Sequence, residues 1–196
     1  MKIFMKILVS CTLISVMFSF MSLESTCSEL ENDIFRIHIR ANSDSELDQN
    51  LKLIVRDKIL DEISPLYNEV TSKEQAIDIT RDNLTLIEEV AEKVVTSNGY
   101  DYDIKASIMS ERFDTRYYED FTMPAGVYDT LLVEIGEGVG QNYFCVMFPT
   151  LCVGSATDMS MKEILAEDEY ELITENDYVF KFKVVEYFEK ISSYFE

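Results

Sequence analysis

The chain has 196 residues, of which 47% are apolar, and its 37 acidic and 17 basic side chains give a formal net charge of −20. This charge makes nucleic acid a poor partner, because phosphate contacts need clustered lysine and arginine, and an anionic lipid surface would repel it as well. The apolar share, with 12 Phe and 11 Tyr, is sufficient to fill the core of one domain.

Residues 1–28 have the order of a signal peptide, since two lysines precede an uncharged apolar run from Ile7 to Met21 and small polar residues follow. The apolar run is shorter than the roughly 20 residues that span a bilayer, so a cleaved leader is favoured over a retained anchor. Cleavage after Ser28 and cleavage after Cys27 both fit the pattern. We therefore predict export, with an uncleaved anchor as the alternative.

The segment from Ile34 to Ala41 alternates apolar and basic side chains, which predicts a β-strand. Ser45 then supplies a helix cap, and Asp48 stands three residues later at the spacing of a capping box. Apolar residues recur every three to four positions until Ser64-Pro65 interrupts them, which predicts an amphipathic helix. The predicted apolar face of this helix consists of Leu47, Leu51, Ile54, Ile59 and Ile63.

A second, longer helix is predicted to begin at Ser72 with Gln75 and to end at Asn98-Gly99, where both residues tolerate the left-handed conformation. Two more strands are predicted, at residues 102–108 and from Val127 to Ile135, the latter with the apolar pattern of an inner strand. The order β-α-α-β-β predicts an α+β fold with a small mixed sheet covered by two helices.

The domain is predicted to cover residues 29–157, and residues 158–196 form an acidic segment that ends in a helix. Asp and Glu are dense from Asp158 to Asp177, which predicts a solvated stretch, with a short helix between Met161 and Glu171 as the alternative. The C-terminal helix is amphipathic, and it either packs on the sheet or binds a partner. Its apolar stripe consists of Phe180, Val184, Phe188, Ile191 and Phe195.

Cys145 and Cys152 are the two cysteines that follow the predicted leader. Two thiols in an oxidising compartment usually pair, so we predict a disulfide that closes a short loop. Metal binding by this pair is less favoured, because no histidine or further cysteine lies near it and zinc normally takes four ligands. We therefore expect no metal and no other cofactor.

His38 is the single histidine of the chain, and Ser43 and Asp44 follow it closely, so the residue types of a hydrolase triad are present. The chain has no nucleophile-elbow motif, however, and Ser43 and Asp44 are explained as turn-forming residues. The stretch G-E-G-V-G after Ile135 indicates a tight turn, since no P-loop lysine follows it. The sequence therefore favours a protein that is not an enzyme, with a hydrolase that uses His38 as the alternative.

Four strings exceed what composition would produce: R-I-H-I-R-A-N-S-D-S-E-L-D-Q-N-L-K-L-I-V-R-D, F-D-T-R-Y-Y-E-D, P-A-G-V-Y and G-E-G-V-G-Q-N-Y-F-C-V-M-F-P-T-L-C. In this order and behind a signal-like leader, the strings resemble stage II sporulation protein R of endospore-forming Firmicutes, over about Phe35 to Cys152. The chain departs from the family pattern at Tyr143 and Phe144, where paired tryptophans are more frequent, and at Thr150, where a second proline is common.

The resemblance implies a secreted signalling protein that is made in the forespore and acts in the space between the two septal membranes. It implies as partner a membrane-embedded septal protease of the mother cell, which processes the pro-form of sigma-E, and no small-molecule substrate. A structural component of the septum or coat is a further alternative. The predicted partner-binding residues are Arg36, His38, Asn42, Asp44, Arg56, Gln141, Asn142, Tyr143 and Phe144.

Overall fold

The computed structural model describes residues 25–118, 121–149 and 164–174, together with positions 4, 5, 7, 10, 11, 15 and 182. The described helices are α1 (residues 25–33), α2 (Glu46–Ile63), α3 (Lys73–Asp82), α4 (Leu84–Ser97) and α5 (Glu167–Thr174), and a short 3₁₀ helix covers Ser64–Tyr67. The described strands are β1 (Phe35–Arg40), β2 (Ile104–Phe113), β3 (Arg116–Tyr117), β4 (Thr122–Met123), β5 (Gly126–Ile135) and β6 (Asn142–Phe148).

Four of these strands form one mixed sheet in the order β2-β5-β1-β6. Strand β1 runs parallel to β5 and antiparallel to β6, while β2 runs antiparallel to β5. Strands β3 and β4 form a separate antiparallel hairpin. The predicted α+β fold with a small mixed sheet is therefore confirmed, and β5 is an inner strand as its apolar pattern indicated.

One face of the sheet carries the main core. Phe35, Ile37 and Ile39 of β1 point towards this face and are fully buried in a cluster with apolar side chains of α2, α3 and α4. Burying an aliphatic or aromatic side chain of this size stabilises the fold by roughly 1.5–3 kcal/mol. We call this side of the sheet the helix-covered face.

Helix α2 begins where the sequence predicted, because the Oγ of Ser45 accepts a hydrogen bond from the backbone N–H of Asp48 at 3.2 Å. The prediction of its apolar face was wrong at two positions, since Leu47 and Ile54 are 67% and 42% exposed. Val55 is buried instead, because Leu51, Val55 and Ile59 face the sheet and Ile54 lies about 100° around the helix axis from Val55. Leu47 lies on nearly the same side of the helix as Ile54, in the first turn.

The single helix predicted from Ser72 onwards is two helices, α3 and α4, which are separated at Asn83. The side-chain amide of Asn83 donates to the carbonyl oxygen of Ile79 at 2.8 Å, and such local bonds compete with the helical backbone pattern. The predicted beginning at Ser72 and end at Gly99, whose φ is 83°, are confirmed. Three helices rather than two therefore cover this face.

The opposite face of the sheet is covered by α1, the β3–β4 hairpin and α5. A second cluster of buried side chains lies there, with Leu30 from α1, Met123 from β4 and Leu172 from α5. The predicted cleavage sites after Cys27 and Ser28 fall within α1, so α1 includes residues on both sides of the predicted boundary. That boundary stays a prediction.

Several predicted features lie outside the described residues: most of the leader, Cys152, the domain boundary at residue 157 and the C-terminal helix apart from the buried Phe182. The alternative short helix near residues 161–171 overlaps α5, which ends three residues later, at Thr174. Within the described ranges, none of the helices has both the length and the apolar character that crossing a membrane requires.

Candidate interaction surface

Two loops meet at one end of the sheet, and we call residues 41–45 and 136–141 the loop pair. They lie side by side because they follow β1 and β5, which are parallel neighbours in the sheet. Three hydrogen bonds join the loops. The N–H of Gly140 donates to the carbonyl oxygen of Ala41 at 2.9 Å, that of Glu137 to Asn42 Oδ1 at 3.1 Å, and that of Gln141 to Asp44 Oδ1 at 2.6 Å.

Glycine allows the two loops to approach this closely. A Cβ added at Gly140 would lie 2.2 Å from the carbonyl oxygen of Ser43, and a Cβ added at Gly136 would lie 2.3 Å from Asn42 Oδ1. Gly136 also has a φ of 60°, which favours glycine. The predicted tight turn in G-E-G-V-G is thus confirmed, and its glycines serve loop packing.

Asp48 holds the first loop against the end of the sheet. Its carboxylate accepts hydrogen bonds from Ser43 Oγ at 2.5 Å, Asn42 Nδ2 at 3.0 Å and Tyr102 Oη at 3.1 Å. Burial acts to raise the pKa of Asp48, but these hydrogen bonds outweigh it and hold that pKa below its ordinary value. The reciprocal half of the predicted capping box is absent here, since the N–H of Ser45 donates to Ser43 Oγ.

Lys52 joins α2 to the second loop. Its buried ammonium group donates to the carbonyl oxygen of Gln141 and to Gln49 Oε1, both at 2.7 Å. Burial lowers the pKa of Lys52, and the nearby charge of Arg56 lowers it further. Arg56 itself stacks on the ring of Tyr143, with its Cζ 4.8 Å from the ring centroid. Helix α2, the loop pair and the start of β6 therefore form one connected unit.

The structure brings most of the predicted partner-binding residues to this unit. Asp44, Gln141 and Asn142 are exposed there. Asn42 and Arg56 are half-buried, and Asn42, Asp44 and Gln141 each make hydrogen bonds that hold the loop pair together. These residues therefore have a structural role, whether or not they contact a partner. The nine predicted positions include four others that lie in or beside the sheet: Arg36, His38, Tyr143 and Phe144.

Arg36 and His38 point to the opposite face and are 0% and 1% exposed. The predicted role of these two side chains in partner binding stays a prediction, but their burial removes them from the accessible surface of the described structure. Phe144 lies on the same face, with its ring centroid 4.4 Å from that of His38. Basic residues in an alternating strand usually face solvent, but here the rings of Phe113 and Tyr128 pack on Arg36 and the ring of Phe144 packs on His38.

Sequence reasoning missed that Leu47 and Ile54 of α2 are exposed, and we call these two side chains the apolar patch. Leu47 and Ile54 are seven residues apart on α2 and therefore lie on the same side of the helix. Val139, 70% exposed, lies between two glycines of the second loop. The apolar character of the patch was visible in the sequence, but its exposure depends on how α2 is rotated against the sheet. Exposed apolar groups beside polar residues are typical of protein contact sites.

His38 belongs to a polar cluster on the opposite face rather than to a hydrolase triad. Its Nδ1 lies 2.7 Å from Glu111 Oε2, and Arg40 Nε donates to its Nε2 at 3.4 Å. This pattern assigns the proton to Nδ1, since Nε2 accepts. The hydroxyl of Ser43 donates instead to Asp48, and Asp44 accepts from Gln141, so the predicted Ser43 and Asp44 partners are engaged elsewhere.

Cys145 is buried in β6, and its predicted partner Cys152 lies outside the described residues, so their disulfide stays a prediction. In the part of the chain that the structure describes, no group of three or more His, Cys, Asp or Glu side chains could hold a metal ion.

The fold and the loop pair define a small α+β domain with a candidate protein-binding surface, and comparisons with known proteins agree on one family. The family model described as stage II sporulation protein R matches residues 31–158. Stage II sporulation protein R of Bacillus subtilis (strain 168) is 34% identical over 153 residues, which cover 74% of this chain and 67% of that protein. No solved structure matches the chain.

The chain therefore belongs to the stage II sporulation protein R family, which confirms the resemblance predicted from the four strings. The first string covers β1, the first loop and the beginning of α2, and the fourth covers the second loop and β6. The two longest strings thus meet at the loop pair.

Proposed function

We propose that this protein is a secreted forespore-to-mother-cell signal that activates the membrane-embedded septal protease which processes pro-sigma-E. The proposal is supported by membership of the stage II sporulation protein R family and by the signal-like leader. The proposed signal acts by binding the protease, and the protease performs the peptide-bond cleavage. The observation that most supports a binding role is the apolar patch, which lies on the unit formed by the two longest strings that resemble the family.

The apolar patch has the composition of a contact site. Leu47 and Ile54 provide apolar surface on α2, Val139 is exposed on the second loop, and Asp44 and Asn142 add exposed polar side chains to the same unit. Protein interfaces commonly combine an apolar centre with a polar rim. Because hydrogen bonds already order the loop pair, binding would cost little conformational entropy there. We propose that this surface contacts the extracytoplasmic part of the protease.

Activation requires that the signal bind the active state of the protease better than the inactive state, since a ligand with equal affinity for both shifts nothing. A preference of about 1.4 kcal/mol changes the ratio of the two states tenfold. We propose that the active state is a dimer of the protease, which the bound signal stabilises.

The proposed contact is tested by replacing Leu47 and Ile54 together with Asp in a sporulating host and measuring secreted protein and processed sigma-E. Both side chains are exposed, so we expect normal secretion and folding but loss of sigma-E processing. The matched control is Leu66→Asp with Met109→Asp, which adds the same charge at two exposed apolar positions away from the apolar patch. Normal processing in the first variant, or equal loss in the control, would remove the apolar patch from the proposal.

The proposed export is tested by the mass of the protein recovered outside the forespore cytoplasm. Cleavage after Ser28 leaves a chain that begins at Glu29, whereas cleavage after Cys27 leaves Ser28 as the first residue. If only the uncleaved chain is recovered, and in the membrane fraction, the protein is anchored rather than released.

A further inference from the structure

Arg36 is an unusual buried cation. Its side chain is fully buried between aromatic rings, with Cζ 4.1 Å from the centroid of Phe113 and 5.1 Å from that of Tyr128. Its Nη2 donates to Tyr118 Oη at 3.0 Å. Among the described residues, neither Nε nor Nη1 of Arg36 has a hydrogen-bond partner. Buried polar atoms are paired in the great majority of cases, so these two atoms need an explanation.

A second arginine and a hydroxyl with the same property lie on this face of the sheet. The Cζ of Arg116 lies 4.4 Å from the ring centroid of Phe144, and that centroid is 5.3 Å from the ring centroid of Phe113. The buried Nε of Arg116 has no hydrogen-bond partner within the described ranges. Thr130 is the register partner of Arg36 in the parallel β1–β5 pair, and its buried Oγ1 is likewise unpaired there. The unpaired groups therefore come from three neighbouring elements, β1, β3 and β5.

Within the described ranges, no carboxylate forms an ion pair with either arginine. Glu111 bonds Arg40 at 2.7 Å and His38 at 2.7 Å, and Glu134 bonds Arg40 at 3.3 Å. Burial lowers the pKa of Arg36, the tyrosines Tyr118 and Tyr128 act in the opposite direction, and the charge of Arg116 lowers it further. Among the described residues, the charged group that acts on Arg36 is thus another cation. A water molecule could satisfy the N–H groups, but it would not compensate the charge.

We propose that Arg36, Arg116 and Thr130 form a binding site for one small monovalent anion, of the size of chloride or formate. Both guanidinium groups and the hydroxyl can donate to such an anion, and its charge offsets theirs in a buried place. Because Arg116 belongs to the β3–β4 hairpin and Arg36 to the sheet, the anion would also fasten the hairpin to the sheet. This site is separate from the loop pair and does not depend on the proposed function.

The test is thermal unfolding of the full chain at constant ionic strength, with sodium gluconate replaced stepwise by sodium chloride or by sodium formate. An anion that binds only the folded state raises the melting temperature, by about 3 °C for each tenfold increase above its dissociation constant. Arg36→Met keeps the apolar contacts and should abolish this dependence. Arg40→Met, on the same strand and face, is the matched control and should keep it.

A response to chloride, to formate or to both supports the site and identifies the anion within the class. Identical melting temperatures in all three salts would overturn the proposal, and so would a full response that persists in Arg36→Met. If Arg36→Met does not fold, chloride binding is tested instead by measuring the line width of the ³⁵Cl resonance in the presence of the unaltered protein. Broadening of this resonance that added formate reverses supports the site. No broadening, together with a melting temperature that formate does not change, overturns it.

Discussion

The two faces of the sheet are built from alternate residues of the same strand but differ in chemistry. On the helix-covered face, Phe35, Ile37 and Ile39 pack into an apolar core. On the opposite face the intervening residues are Arg36, His38 and Arg40, which bind or stack on side chains far away in the chain. Apolar packing is non-directional, whereas each buried polar group needs a partner in a defined position. The helix-covered face therefore supplies most of the stability, and the opposite face fixes specific neighbours.

The strongest test of this difference is truncation on each face. We expect Ile37→Ala to lower the free energy of unfolding by about 3 kcal/mol, because it removes a fully buried side chain and leaves a cavity. Met109→Ala, an exposed position on β2, should change it by less than about 0.5 kcal/mol. Urea denaturation of both variants measures the two values. Equal losses would contradict the assignment of the main core to the helix-covered face.

The loop pair should depend on one carboxylate. We expect Asp48→Asn to lower the free energy of unfolding by about 2 kcal/mol near pH 7, because hydrogen bonds to a charged group are lost. Since the pKa of Asp48 is lowered on folding, its charge stabilises the protein above the ordinary value of 3.8, and this contribution is lost as the pH falls through the lowered pKa.

The difference between the original protein and Asp48→Asn should therefore shrink as the pH is lowered below about 3.8. Denaturation at a series of pH values measures it. A difference that stays constant down to pH 2 would show that the carboxylate charge does not hold the loops.

A smaller effect is expected on the opposite face from Tyr118→Phe. The hydroxyl of Tyr118 accepts from Arg36 and donates to the carbonyl oxygen of Phe144 at 3.3 Å, so its removal should cost about 1 kcal/mol. The control variant is Tyr100→Phe, which also removes a tyrosine hydroxyl but keeps the ring stacked on Tyr102. An unchanged urea midpoint in Tyr118→Phe would mean that this hydroxyl does not hold the hairpin against the sheet.

Local signals in the sequence were sufficient to predict strand β1, the beginning of α2 at Ser45 and the end of α4 near Gly99. Capping and turn residues act within a few positions, so their effects can be predicted from short segments. Strand β6 was not predicted, because its run N-Y-F-C-V-M-F shows no clean alternation and its pairing with β1 joins distant segments. The break at Asn83 was hidden by an apolar pattern that continues through it.

The candidate site was only partly predictable for the same reason. The residues of the loop pair could be named from the sequence, but their mutual hydrogen bonds could not, since Asn42 and Glu137 are 95 positions apart. The burial of Arg36 and His38 depends on aromatic rings of distant strands that pack on them, which alternation alone does not show. The exposure of Leu47 and Ile54 depends on the rotation of α2 against the sheet.

The measurement that tests the central claim most directly is deletion of this protein's gene in a sporulating host, followed by immunoblotting for sigma-E. We expect unprocessed pro-sigma-E to accumulate in the deletion strain and processing to return when the full chain is supplied from the forespore. Normal processing in the deletion strain would contradict the proposed signalling function.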